Sequence, residues 1–231
     1  MEKQQYDLCR EVLRRFNEAG LLKDLVLIGS WCIYFYQDYF EGTPYIDHVS
    51  FKTRDLDFLI PHPHHMKAKV DIPELLEDLG FVIDLKGSKG YIQLNHPDLI
   101  LEFLIEEKGR GLDKPFPLPK LGLNATALRF LNLLLENTIV VKMDGIRLTV
   151  PHPANFALHK LIISQRRSRQ EKAIKDKNTA REILSALIKQ GEQAVIRKVF
   201  HSFSPTWQRK IIGKLDAIED DNIIPVLVEA K

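Results

Sequence analysis

Two aspartates separated by one leucine open an otherwise apolar run, Asp55-Leu56-Asp57-Phe58-Leu59-Ile60, and Pro61 closes it. On a strand, residues two apart share a face. Asp55 and Asp57 therefore point one way, with Leu56 and Phe58 opposite. The apolar side needs a core behind it. The acidic side places two like charges together near a sheet, where they repel and lose hydration. Such a face either stays open to water or receives a cation. Paired divalent metals roughly 3.5–4 Å apart match carboxylates in this arrangement, and can activate an attacking oxygen while stabilising a leaving one.

A later run, Leu99-Ile100-Leu101-Glu102-Phe103-Leu104-Ile105, is apolar in six of seven positions. An unpaired carboxylate buried inside such a strand is costly. Glu102 therefore faces water from one side of the sheet, takes a salt-bridge partner, or meets a cation. A neighbouring strand could bring it to the two aspartates. Upstream, Leu25 to Ile28 reads as a short buried strand ending in Gly29-Ser30, with Trp31 to Phe40 running on as a helix. Glycine there lets a backbone approach a phosphate, the N–H groups of a helix start favour an anion, and the Ser30 hydroxyl adds a donor. Taken alone, the pair also reads as an ordinary turn.

Around these three features the pattern predicts a helix over 4–19, a loop over 41–52, and a short helix over 71–79 with Pro73 in its first turn. It predicts a hairpin from Phe81–Leu85 to Tyr91–Leu94, a loop over 109–122, and a helix or helical turn over Asn124–Leu134. Thr138 to Val150 is a second hairpin about Asp144-Gly145. After Pro151 the composition turns helical, with helices over 153–165, 179–190, 192–202 and 205–218. Thr179-Ala-Arg-Glu182 has the form of a capping box, and Gly191 is a stop. The expected fold is α/β (α+β): a small mixed sheet flanked by helices over 1–150, then a helical domain over 151–231.

With 231 residues the chain can bury a sizeable core. A net charge of +2 confines any nucleic-acid role to a local patch. Cys9 and Cys32 lie in apolar, helix-like surroundings and read as reduced core residues of a cytoplasmic protein. The polar segment Met1 to Arg10 has no signal-peptide core, and no stretch has the length of a membrane span. His62, His64 and His65 crowd around Pro61 and Pro63 and read as a polar loop.

Jointly, the Gly29-Ser30 turn, the Asp55-x-Asp57 strand and the lone Glu102 on a later apolar strand resemble the nucleotidyltransferase superfamily that includes DNA polymerase beta. Thr53-Arg54-Asp55-Leu56-Asp57-Phe58 is similar to uncharacterised bacterial members and to abortive-infection toxins of toxin–antitoxin pairs. The resemblance covers residues 20–110 best; residues 39–52 look like an insertion between Ser30 and Asp55. It implies an enzyme that moves a nucleoside monophosphate from a nucleoside triphosphate such as ATP to an acceptor hydroxyl, releasing pyrophosphate. It implies Mg2+ or Mn2+ on Asp55, Asp57 and Glu102, with Glu102 helping to deprotonate the acceptor, and phosphates on Gly29 and Ser30. The acceptor is left open among RNA, protein and a small molecule such as an aminoglycoside.

In the helical half, Phe156, Lys160 and Ile163 share a helix face. Lys160 to Arg181 holds eight Lys or Arg against two acidic residues. Lys160 and Lys175-Asp176 match a lysine and a Lys-Asp pair that recur in the toxin-like relatives, which implies a nucleotide-binding Lys160. A solvated basic helix fits the same run. Two other readings stand beside the enzyme: a catalytically silent nucleotide-binding regulator, and a nucleic-acid-binding module using the basic helices.

Overall fold

In a computed structural model, the structure describes residues 3–43, 53–111, 113–167, 169–216 and 222–229. Among them are eight α-helices, nine strands and several 3₁₀ turns. The α/β fold class expected from the pattern is the one observed: a mixed seven-stranded sheet, a separate hairpin and a helical C-terminal region. The chain divides into two compact units. One is Met1–Phe35 with Asp47–Pro151; the other is Tyr36–Ile46 with His152–Lys231.

The first unit begins with α1 (Lys3–Glu18), whose buried residues Cys9, Val12, Leu13 and Phe16 follow the i, i+3, i+4, i+7 spacing of one helical face. Next come β1 (Val26–Ile28), α2 (Trp31–Phe35) and β2 (Asp55–Leu59). Of the stretch read as an insertion, residues 44–52 lie outside those described. Helix α2 is shorter than the expected Trp31–Phe40, and residues 36–42 follow it as turns. A 3₁₀ turn at 63–65 carries His64 and His65, both exposed. Helix α3 (Ile72–Leu76) is capped by the Asp71 carboxylate, which accepts from the Glu74 N–H.

The expected hairpin is β3 (Val82–Lys86) with β4 (Tyr91–Asn95), followed by β5 (Ile100–Glu106). The sheet runs β1-β2-β5-β4-β3, with β2 and β5 parallel. The next segment departs from expectation in two places. The loop over 109–122 contains a short strand, β6 (Phe116–Leu118), and the helix or helical turn expected over Asn124–Leu134 is a strand, β7 (Leu123–Leu128), in its first half, with a helical turn only at its end, the 3₁₀ turn Leu131–Leu135. Pairing overrides the helical bias of Ala125 and Ala127. β7 lies parallel to β5, and Asn124 accepts from the Ile92 N–H at 2.9 Å and donates to the Gly90 carbonyl at 3.0 Å. The second hairpin, β8 (Ile139–Met143) and β9 (Ile146–Val150), turns at Asp144 (φ 48°) and Gly145 (φ 82°), as its Asp-Gly dipeptide requires.

The helical unit holds α4 (Pro153–Ser164), α5 (Gln170–Lys189), α6 (Gln193–His201), α7 (Pro205–Asp216) and α8 (Ile223–Val228). Thr179 does not cap a helix: α5 begins nine residues earlier, and Thr179 is buried within it. Gly191, at φ 83°, ends the α5 segment. Both cysteines are buried thiols outside any disulfide, and no helix among the described residues is long and apolar enough to cross a membrane.

Candidate active site

Strand β2 lies between β1 and β5, and its register decides what stands beside the aspartates. Ile28 is opposite Asp57 on one side and Glu102 is opposite Asp57 on the other; Asp55 is opposite Ile100. Paired residues on adjacent strands share a face, so Asp55, Asp57 and Glu102 all stand on the same side of the sheet. All three are half-buried, whereas Leu56, Phe58, Leu101 and Phe103 on the opposite side are buried. There Phe58 stacks on Phe103 at 5.7 Å and Phe16 of α1 packs on Phe58 at 5.3 Å. The core thus supports the strands from behind. Helix α1 also holds their starts together, because the Gln5 amide donates to the Thr53 carbonyl (2.7 Å) and the Asp98 carbonyl (2.9 Å).

The acidic face is divided along its length. Beyond Asp57 and Glu102, Leu59 and Leu104 continue it as an apolar cluster with Val26, Ile28, Leu131 and Leu134. At the acidic end, Gly29 adopts φ 73°, and a Cβ there would lie 2.1 Å from Asp57 Oδ2. Glycine is required twice over, by the left-handed backbone and by the carboxylate resting on it. Ser30 follows at the start of α2, partly buried. On the other side, Lys86 Nζ donates to Glu102 Oε1 at 2.9 Å. Among the described residues no three His, Cys, Asp or Glu side chains are gathered as a metal-holding group. The carboxylates share a face, with Asp57 against Gly29 and Glu102 on Lys86.

Lys160 belongs to the helical unit. Every residue of α4 but Ile163 is buried, Lys160 among them, so its ammonium needs an anion beside it. It donates to Asp176 Oδ1 at 2.7 Å, lies 5.1 Å from the centre of the Phe156 ring, and shares Asp176 with Arg167 Nε (3.0 Å). Burial pushes the Asp176 carboxyl up, but Lys160 and Arg167 outweigh it and hold the group below its ordinary value. Two cations on one carboxylate leave the cluster one net positive charge. His159 beside it is driven down to about 3 by burial and then by the Lys160 charge.

Two arrangements escaped the sequence. One is Lys86 on Glu102; its place before the Gly87–Gly90 turn was the available signal. The other is a polar chain in the helical unit. The His152 Nδ1 accepts from the Ala154 N–H at 3.1 Å and caps α4, which leaves the proton on Nε2, 3.0 Å from the Tyr39 hydroxyl. That hydroxyl donates to the Glu192 carboxylate, 2.6 Å from Oε1.

A family model described as "Nucleotidyltransferase" matches residues 8–203. No curated protein matches the chain. The solution structure of the antibiotic-resistance factor ANT(2'')-Ia is similar at 14% identity over 95% of this chain and 97% of its own, with a TM-score of 0.50. A crystal structure of ANT(2'')-Ia in complex with adenylyl-2''-tobramycin has 16% identity, coverage of 85% and 98%, and a TM-score of 0.47. An antigenic nucleotidyltransferase-like protein from Paracoccidioides brasiliensis has 16% identity, coverage of 89% and 92%, and a TM-score of 0.41. At 14% identity the likeness to the solution structure is one of fold alone.

Proposed function

The chain belongs to the nucleotidyltransferase family, which makes it an enzyme, and from that premise we propose that it transfers a nucleoside monophosphate from a nucleoside triphosphate to an acceptor hydroxyl. The observation that supports this most is the row of half-buried carboxylates: Asp57 opposite Glu102, Asp55 on the same face, and the Gly29-Ser30 turn beside Asp57.

The donor set fits a hard divalent cation. It consists of carboxylate oxygens, and Glu102 already accepts from the cationic head of Lys86. Asp55, Asp57 and Glu102 would hold Mg2+ or Mn2+. When bound, the ion supplies charge neutralisation at the phosphates. The Gly29-Ser30 turn offers backbone N–H groups and a hydroxyl to the phosphates. The acceptor oxygen forms a bond to the α-phosphorus while the bond from that phosphorus to the bridging oxygen breaks; pyrophosphate leaves with the electron pair. The acceptor proton passes to the Glu102 carboxylate. The rest of the protein's contribution is positioning and charge stabilisation. In the helical unit, Lys160 already has its anion in Asp176, which Arg167 shares, and the proposed reaction needs nothing further from it.

The test is incubation of the protein with each α-labelled nucleoside triphosphate, Mg2+ and cell extract. Label entering RNA, protein or a small-molecule fraction, and absent with Asp55→Asn/Asp57→Asn, supports the reading and identifies the acceptor class. No labelled product in any fraction, together with salt-sensitive nucleic-acid binding indifferent to Mg2+, overturns it.

A further inference from the structure

We propose that Lys86 is a positioning residue: it holds Glu102 where a divalent cation would otherwise sit, so that metal entry exchanges an ammonium for the ion. The inference rests on the reading of Glu102 as a metal ligand and adds the control of its availability.

Strand parity places Lys86 for this. Asn95 is opposite Ile100, and Ile100 shares a face with Glu102. Tyr91 shares that face with Asn95, and Lys86 is opposite Tyr91. Lys86 therefore stands on the carboxylate face, one strand beyond β4, and its long stem reaches across to Glu102. The two ends of the pair differ in exposure. The Lys86 side chain is 63% exposed and the Glu102 side chain 23%. The lysine can swing out to water with little loss, whereas the carboxylate remains on the sheet face. An ion pair so exposed on one side is weak and screened, as a latch must be if a dication is to displace it. Lys89, three residues on, is engaged elsewhere, on Asp113.

The test is Mn2+ binding to the full chain without nucleotide, followed by electron paramagnetic resonance at low salt. Lys86→Met is expected to bind Mn2+ about two- to fivefold tighter than the unmodified protein, the range of an exposed ion pair. The gain should shrink as salt is raised. Lys86→Arg should restore the weaker binding, and Lys89→Met should leave it unchanged. Lys86 lies on an exposed strand, so its variants should fold, as a thermal melt verifies. Unchanged Mn2+ affinity in Lys86→Met, with binding lost in Asp57→Asn, overturns the latch and leaves the carboxylate site standing. Equal tightening in Lys89→Met also overturns it, since any removed positive charge would then suffice. Undiminished Mn2+ binding in both Asp57→Asn and Glu102→Gln overturns the metal site and the latch with it.

Discussion

Asp57 and Glu102 stand directly opposite one another on two parallel strands, each with an apolar neighbour on either side turned into the core. Neither can leave the row without breaking the register of β2 on β5. Asp57→Asn and Glu102→Gln preserve shape and remove charge, so both should keep their melting temperature. Each should lower nucleotide transfer by at least about a hundredfold, since a metal's stabilisation of transition-state charge is worth several kcal/mol. Single-turnover assays with labelled nucleoside triphosphate measure this; near-normal rates in either variant remove that residue from the site.

Gly29 and Gly20 share nearly the same backbone, φ 73° and 71°, but a Cβ at Gly29 meets Asp57 whereas one at Gly20 has nothing within 4 Å. Alanine at Gly20 should cost about 1–2 kcal/mol, the penalty of a left-handed residue. Gly29→Ala should cost that much and also displace the Asp57 carboxylate, lowering metal affinity. Urea unfolding and Mn2+ titration of the two variants separate backbone strain from the collision. Equal metal affinity in both would show that Asp57 can give way freely.

Removing Lys160 strands a buried carboxylate. Lys160→Met leaves Asp176 with Arg167 alone, and the loss should be about 3 kcal/mol, at the low end for a broken buried pair because one partner remains. Lys160→Met/Asp176→Leu should recover most of it. Nucleotide affinity is then measured in the double variant, where folding no longer confuses the result. A loss of about 1–3 kcal/mol, that of a charge-assisted hydrogen bond, assigns Lys160 to the triphosphate. Unchanged affinity assigns the pair to the helical core.

His159 makes the fold acid-sensitive. Its ordinary value of 6.5 falls to about 3 on folding. Between these values the unfolded chain binds a proton that the folded one refuses, so stability drops as pH falls through that window. From pH 6.5 to pH 5 the unmodified protein should lose about 1.6 kcal/mol more than His159→Leu, since each pH unit is worth up to 1.36 kcal/mol and the unfolded imidazole is already half protonated at pH 6.5. Urea unfolding at the two pH values checks this. Parallel losses would mean that His159 is protonated in the folded chain.

The alternation of charge and apolar residues made the shared face of Asp55 and Asp57 legible, because strand geometry alone dictates it. The register of Glu102 against Asp57 was not legible, since it depends on β5 choosing β2 as a parallel partner. Local propensity misled where pairing decided. Asn124 to Leu134 begins with two alanines in its first four residues and reads as a helix or helical turn, but Asn124 ties its start to β4 as a strand. Thr179 and Glu182 have the spacing of a cap, yet Thr179 continues the buried stripe of α5 that starts at Asp176. The ion pair of Lys160 with Asp176 joins two residues that one sequence match had already singled out, and it forms because a buried ammonium needs an anion beside it.

The path of the chain between the two units bears on how such a protein could be taken apart. Residues from Tyr36 onward group with the helices, although the strand that follows them, β2, belongs to the sheet. Tyr36 sets its ring 5.7 Å from Phe156, and Tyr39 gives its hydroxyl to Glu192. A chain cut after Pro151 would keep both tyrosines and lose what surrounds them. The carboxylate-bearing half is therefore no exchangeable cassette: recombination at the obvious seam would leave aromatic side chains bare, and a graft onto another protein would need the helices to travel with it.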